Sequence, residues 1–73
     1  MQVGTENALD TELARARDKF SGNDRLFLAL TEEIGELARA ILEGGDWREE
    51  ALHCACVAVR IYEEGMAELE VMR

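Results

Sequence analysis

The chain has 73 residues, 48% of them hydrophobic and 33% charged, and its sixteen acidic and eight basic side chains leave a formal net charge of −8. A surface this negative repels phosphate backbones and anionic lipids, which argues against nucleic acid and membrane as partners. A chain this short buries only about 60% of the surface its unfolded form exposes, so a thin core and a motive to self-associate are expected.

Proline is absent, aromatics make up 5%, and Ala, Leu, Glu and Arg are abundant. That composition predicts an all-α fold, with nothing resembling a run of β-branched strands. One domain over residues 1–73 is expected. No apolar stretch reaches membrane-spanning length and no signal peptide is apparent at the N-terminus, so a cytoplasmic location is the simplest expectation.

The first predicted helix runs from Thr5 or Glu6 to Lys19, with Met1–Gly4 frayed ahead of it. Thr5 or Asn7 is its candidate cap, and Leu9, Leu13 and Ala16 are its apolar positions. Arg15, Arg17 and Lys19 suit the negative end of its dipole. Ser21-Gly22-Asn23 breaks the pattern and offers a cap for a second helix, from about Asp24 to Glu43. Leu26, Leu30, Ile34, Leu37 and Ile41 draw one apolar stripe along it.

Gly44-Gly45 stops the second helix, and Asp46-Trp47-Arg48-Glu49 predicts a cap bonded from both sides at the start of the third. The third helix is expected to reach Leu69 or Val71. From Ala51 to Tyr62 it is apolar nearly all round, His53 and Arg60 being the exceptions. A helix apolar on every side must be buried on every side, which two other short helices cannot achieve. A subunit interface follows, most simply a four-helix-bundle core built from helices two and three of two chains. Cys54 and Cys56 point to opposite sides of this helix, and read as free thiols acting as small hydrophobes.

Two acidic clusters stand out. Glu32, Glu33 and Glu36 lie on the second helix as E-E-x-x-E, and Glu50 precedes His53 on the third as E-x-x-H. Residues three or four apart share a helix face, so each cluster presents its side chains together. Ala29 and Ala40 bracket Glu33 and Glu36 in one sector, as a close approach by another helix requires. From Leu26 to Arg39 there is no lysine, so these like charges need compensation from outside their helix. Two packed helices of this kind can aim several oxygens at one divalent cation.

Other residues carry two readings each. His53 either ligates the cation through a neutral ring nitrogen or hydrogen-bonds a carboxylate of the second helix. Arg60 either pairs with a glutamate or holds a phosphate. Trp47 reads better as a packing residue against helix two than as a platform for a base. Lys19 and Phe20 either close over a nucleotide or simply end a helix.

T-E-E-I-G-E-L-A-R-A-I-L, a glycine turn, then R-E-E-A-L-H resembles the MazG-like nucleotide pyrophosphohydrolases. Their signature is E-E-x-x-E followed, after a dozen or more residues, by E-x-x-D. Glu32, Glu33 and Glu36 match the first half, thirteen residues intervene, and Glu50 matches the glutamate of the second half. His53 stands where the family has aspartate. The similarity covers Leu26 to Tyr62.

This resemblance implies a helical dimer or pair of dimers that hydrolyses nucleoside triphosphates to monophosphate and pyrophosphate. It implies Mg²⁺, or Mn²⁺, held by Glu33, Glu36, Glu50 and His53, with Glu32 as the base that orients the water. Arg60 and Lys19 are the candidate substrate contacts, since the chain has no lysine after Lys19 and no asparagine after Asn23. Imidazole suits Mn²⁺, Co²⁺ or Zn²⁺ better than Mg²⁺. Two alternatives therefore stand beside catalysis. One is a nucleotide- or metal-binding relative impaired at His53; the other is a helical oligomerisation module with an acidic partner-binding face.

Overall fold

The computed structural model describes residues 1–19 and 25–65, and these form three α-helices without a strand. They are α1 (Val3–Lys19), α2 (Leu26–Glu43) and α3 (Trp47–Glu64). The all-α class expected from composition is what forms. The expected cap at Ser21-Gly22-Asn23 and Phe20 lie outside the described residues, as does everything after Gly65.

Each helix boundary has a local cause. The amide of Glu6 donates to Gln2 O at 3.0 Å, so the first turn closes ahead of Thr5. Val3 and Gly4 are therefore helical rather than frayed, and Thr5 and Asn7 lie inside the helix instead of capping it. Arg25 has a left-handed backbone (φ 63°) that a right-handed helix cannot contain, and α2 starts at Leu26, two residues later than expected.

At the far end of α2, Gly44 takes φ 78°, a conformation that favours glycine. Gly45 then donates to Ala40 O at 2.8 Å, closing the turn. Gly65 (φ 74°) ends α3 at Glu64, well before the expected Leu69. Reading the apolar pattern onward past this glycine overran a stop signal.

Asp46 caps α3 by accepting from the Glu49 amide at 3.1 Å. The return half of the expected two-sided cap does not form, and the Glu49 carboxylate lies 3.2 Å from His53 Nε2. Replacing Asp46 by alanine is expected to cost about 1 kcal/mol, the usual value of such a cap. For a domain of this size that lowers the melting temperature by roughly 4–8 °C. An unchanged melting temperature would mean that the cap contributes nothing.

The short turn Gly44–Asp46 folds α2 back along α3 as a helical hairpin, and α1 packs on α3 alone. Among the described residues no Cα of α1 comes within 8 Å of one in α2, so α3 is the spine and a wedge opens between its two neighbours. Among the described residues the buried apolar side chains are Leu13, Leu26 and Cys56. That is a thin core, as the length predicts. Leu9 and Ala16 flank Leu13 on the inner face of α1, in the register read from the sequence. Cys54 and Cys56 are free, Cys56 buried and Cys54 partly so; burial pushes both thiols above their ordinary pKa.

Much apolar surface stays outside. Phe27, Ile34 and Ile41 recur at seven-residue intervals on α2 and are each more than half exposed. Ala51, Ala55, Ala58 and Tyr62 follow a 4-3-4 spacing on α3 and are exposed as well. At about 100° per residue both stripes fall on the side of the hairpin opposite the wedge. Trp47 is half-exposed, with the Arg48 guanidinium 5.2 Å from its ring centre.

Candidate metal centre

The wedge is a cleft of about 460 Å³ with α3 as its floor. Glu12 and Arg15 line it from α1, Glu32 and Glu33 from α2, and His53 and Arg60 from α3. His53 is the centre of the arrangement. Its Nδ1 lies 3.5 Å from Glu33 Oε2 and 3.6 Å from Glu50 Oε2. Its Nε2 lies 3.2 Å from Glu49 Oε1 and 3.7 Å from Glu12 Oε1. One imidazole thus stands among four carboxylates drawn from all three helices.

The two sides of the ring differ. On the Nε2 side, Glu12 is already served, because the Arg15 guanidinium reaches both of its oxygens. That pairing holds the Glu12 carboxyl below its ordinary pKa. On the Nδ1 side, Glu33 Oε2 and Glu50 Oε2 are buried and neither receives a hydrogen bond. Leaving a buried acceptor unmet typically costs about 1–3 kcal/mol, and more when it is charged. Burial first, then the neighbouring Glu36 and Glu50, push the Glu33 carboxyl above the usual carboxylate range. Glu33, Glu50 and His53 each offer one donor atom, and the three atoms lie within 4.8 Å of one another. A two-oxygen, one-nitrogen set with unmet oxygens fits a divalent cation, and the imidazole tilts the preference toward Mn²⁺ or Zn²⁺ over Mg²⁺.

The remaining expected site residues fall around this group. Glu36 is exposed and adjoins Glu33, and with Glu50 it lines a second, more open depression beside Arg39 and Asp46. It stands outside both donor groups that converge on His53. Glu32 is exposed on the cleft wall. Arg60 is buried on the cleft floor and its guanidinium meets Glu64 at 3.1 and 3.2 Å. Arg17 of α1 reaches the same Glu64 carboxylate at 2.8 Å, tying α1 to the end of α3. Arg60 foremost, then Arg17, holds the Glu64 carboxyl below its ordinary pKa. Lys19 closes α1, and its side chain lies outside the described residues.

Glu12 was not anticipated as a member of the site. Glu12 carried a readable signal, since it sits three residues from Leu9 and four from Ala16, a carboxylate on the apolar face of its helix. No model of a known protein family matches the chain, and no curated protein or solved structure matches it either.

Proposed function

We propose that the chain is a metal-dependent nucleoside triphosphate pyrophosphohydrolase of MazG type, acting as a homodimer. The observation that carries this reading is the pair of buried, unmet oxygens of Glu33 and Glu50 facing His53 Nδ1 beside an open cleft. Glu33, Glu50 and His53 hold the cation. Once bound, such a cation neutralises phosphate oxygens and lowers the pKa of water. Glu32, exposed on the cleft wall, accepts the proton of the attacking water. Arg15 and Arg25 line the same cleft and supply positive charge for an anionic ligand, while Arg60 braces its floor through Glu64. Water is consumed across one phosphoanhydride bond, giving monophosphate and pyrophosphate.

The exposed stripes of α2 and α3 are the dimer face. Among the described residues they present no charge, whereas the chain as a whole carries −8. A second copy is repelled elsewhere and tolerated there, and two hairpins packed on these stripes make a four-helix core.

A second reading rests on His53 itself. With histidine at the aspartate position and Glu36 outside the donor groups, the chain binds metal and nucleotide without turnover. Pyrophosphate release from a panel of canonical and modified triphosphates, with Mg²⁺ and with Mn²⁺, separates the two. Catalysis predicts release that Glu33→Gln abolishes. No release by the natural chain, with release appearing in His53→Asp, selects the impaired relative. No release and no change of melting temperature with either metal sinks both.

A further inference from the structure

The side of the hairpin away from the cleft carries no charged side chain along either stripe, in a chain whose formal net charge is −8. Phe27, Ile34 and Ile41 on α2 are large and more than half exposed, and Tyr62 on α3 is 90% exposed. The rest of the α3 stripe, Ala51, Ala55 and Ala58, is small and exposed. Because α2 and α3 run antiparallel from the Gly44–Asp46 turn, the two stripes can be compared level by level. Counted outward from the turn, Ile41 stands level with Ala51, Ile34 with Ala55 and Ala58, and Phe27 with Tyr62.

A two-fold axis can bring a second copy onto this face in two ways. An axis parallel to the helices lays α2 of each copy on α3 of the other, at the same level. An axis across the helices lays α2 on α2 and α3 on α3. Side-chain size separates the two, because packed helices sit about 8–10 Å apart according to what lies between them. Like on like stacks Ile34 on Ile34 and Ala55 on Ala55, so the α2 pair is held apart while the α3 pair has to close up. Two rigid hairpins meet both demands only by leaving a void, which costs stability. Unlike on unlike sets isoleucine against alanine, keeps one spacing throughout, and brings Phe27 to the partner's Tyr62.

We propose that a second copy docks with α2 on the partner's α3 and α3 on the partner's α2, Ile34 seating against the partner's Ala55 and Ala58. This rests on the dimer reading above and adds which helix meets which. A second copy is the occupant because the face fits its own image: the two-fold exchanges the large stripe and the small one. Charge acts the same way, since two chains of this net charge repel each other except along an uncharged face.

The test mixes full chains carrying opposite charges. Ile34 and Ala55 are both exposed in one chain, so substituting them leaves its own core untouched. Ile34→Glu and Ala55→Lys each place an unpaired charge in the interface, and each alone is expected to weaken self-association at least about 100-fold. Mixed in equal amounts, they set the new carboxylate against the new ammonium, and association is expected to recover at least about tenfold. Ile34→Glu mixed with Ile34→Lys is the counter-test, since those charges meet only if α2 lies on α2. Sedimentation reads each mixture, and circular dichroism follows the helices, which return on mixing if a separated chain loses them. Recovery in the second mixture that equals or exceeds the first overturns the pairing and leaves the dimer standing. No recovery in either mixture, or variants that associate as the natural chain does, overturns the pairing and moves the interface off this face. A natural chain that sediments as a monomer removes the dimer reading and the pairing with it.

Discussion

Glu33→Gln is expected to raise the melting temperature of the metal-free chain and, in the same variant, to erase the rise produced by Mn²⁺ or Zn²⁺. The first effect follows from the raised pKa of Glu33, whose causes are burial first, then Glu36 and Glu50. A carboxyl with a raised folded pKa binds its proton more tightly in the native chain. Its contribution to stability therefore falls as pH rises between the unfolded and folded values, and at neutral pH the whole cost is in place. Glutamine removes the charge and its repulsion from Glu36 and Glu50. Metal-free Glu33→Gln is therefore expected to melt above the natural chain.

The second effect follows from linkage. A cation that binds only the folded chain stabilises it by about 2.7 kcal/mol at a hundredfold excess over its Kd. Without the Glu33 carboxylate that stabilisation goes. The two signs together separate a metal site from a structural cluster. A residue retained for stability would lower the melting temperature when neutralised, and metal would leave the natural chain unmoved. Either result removes the metal site. Acid conditions add an internal check. As pH falls from neutral, the natural metal-free chain regains the stability that ionised Glu33 removes, and Glu33→Gln lacks that gain. Glu64, held low by Arg60 and Arg17, acts in the opposite sense in both chains and cancels in the comparison.

The sequence made the helices legible because the rules behind them are local. The apolar positions Leu9, Leu13 and Ala16 lie on the inner side of α1, and the glycine pair at 44 and 45 ends α2 as read. The errors came where a backbone angle decided the outcome. Neither the left-handed Arg25 nor the early stop at Gly65 is visible in apolar periodicity. The site was half legible for a related reason. Glu33, Glu50 and His53 share two helices joined by a short turn, so spacing alone could bring them together. Glu12 comes from α1, and only the packing of α1 on α3 carries it to Nε2. Glu36 shows the converse. It lies three residues from Glu33, yet it stays exposed at the edge of the second depression.

Ala55→Glu is expected to convert the proposed dimer to a monomer, weakening self-association at least about 100-fold, or about 2.8 kcal/mol. Ala55 lies in the exposed Ala51–Tyr62 stripe, where small side chains allow two helices to approach closely. A two-fold interface places each substitution twice, so both copies bury an unpaired charge, and one such charge already costs about 3–5 kcal/mol. Ala14→Glu on α1 is the matched control. It adds the same charge to an exposed alanine of a different helix, and its association is expected to stay as in the natural chain. Sedimentation of all three chains at one concentration reads the result. A natural chain that sediments as a monomer removes the dimer, and a dimer unmoved by Ala55→Glu moves it to another face. The expected loss of association has a second consequence. Among the described residues only Leu13, Leu26 and Cys56 are buried apolar side chains, which gives those helices little core within one chain. The Ala55→Glu monomer should therefore melt lower than the Ala14→Glu dimer, by an amount that grows with protein concentration, because only the dimer gains from mass action.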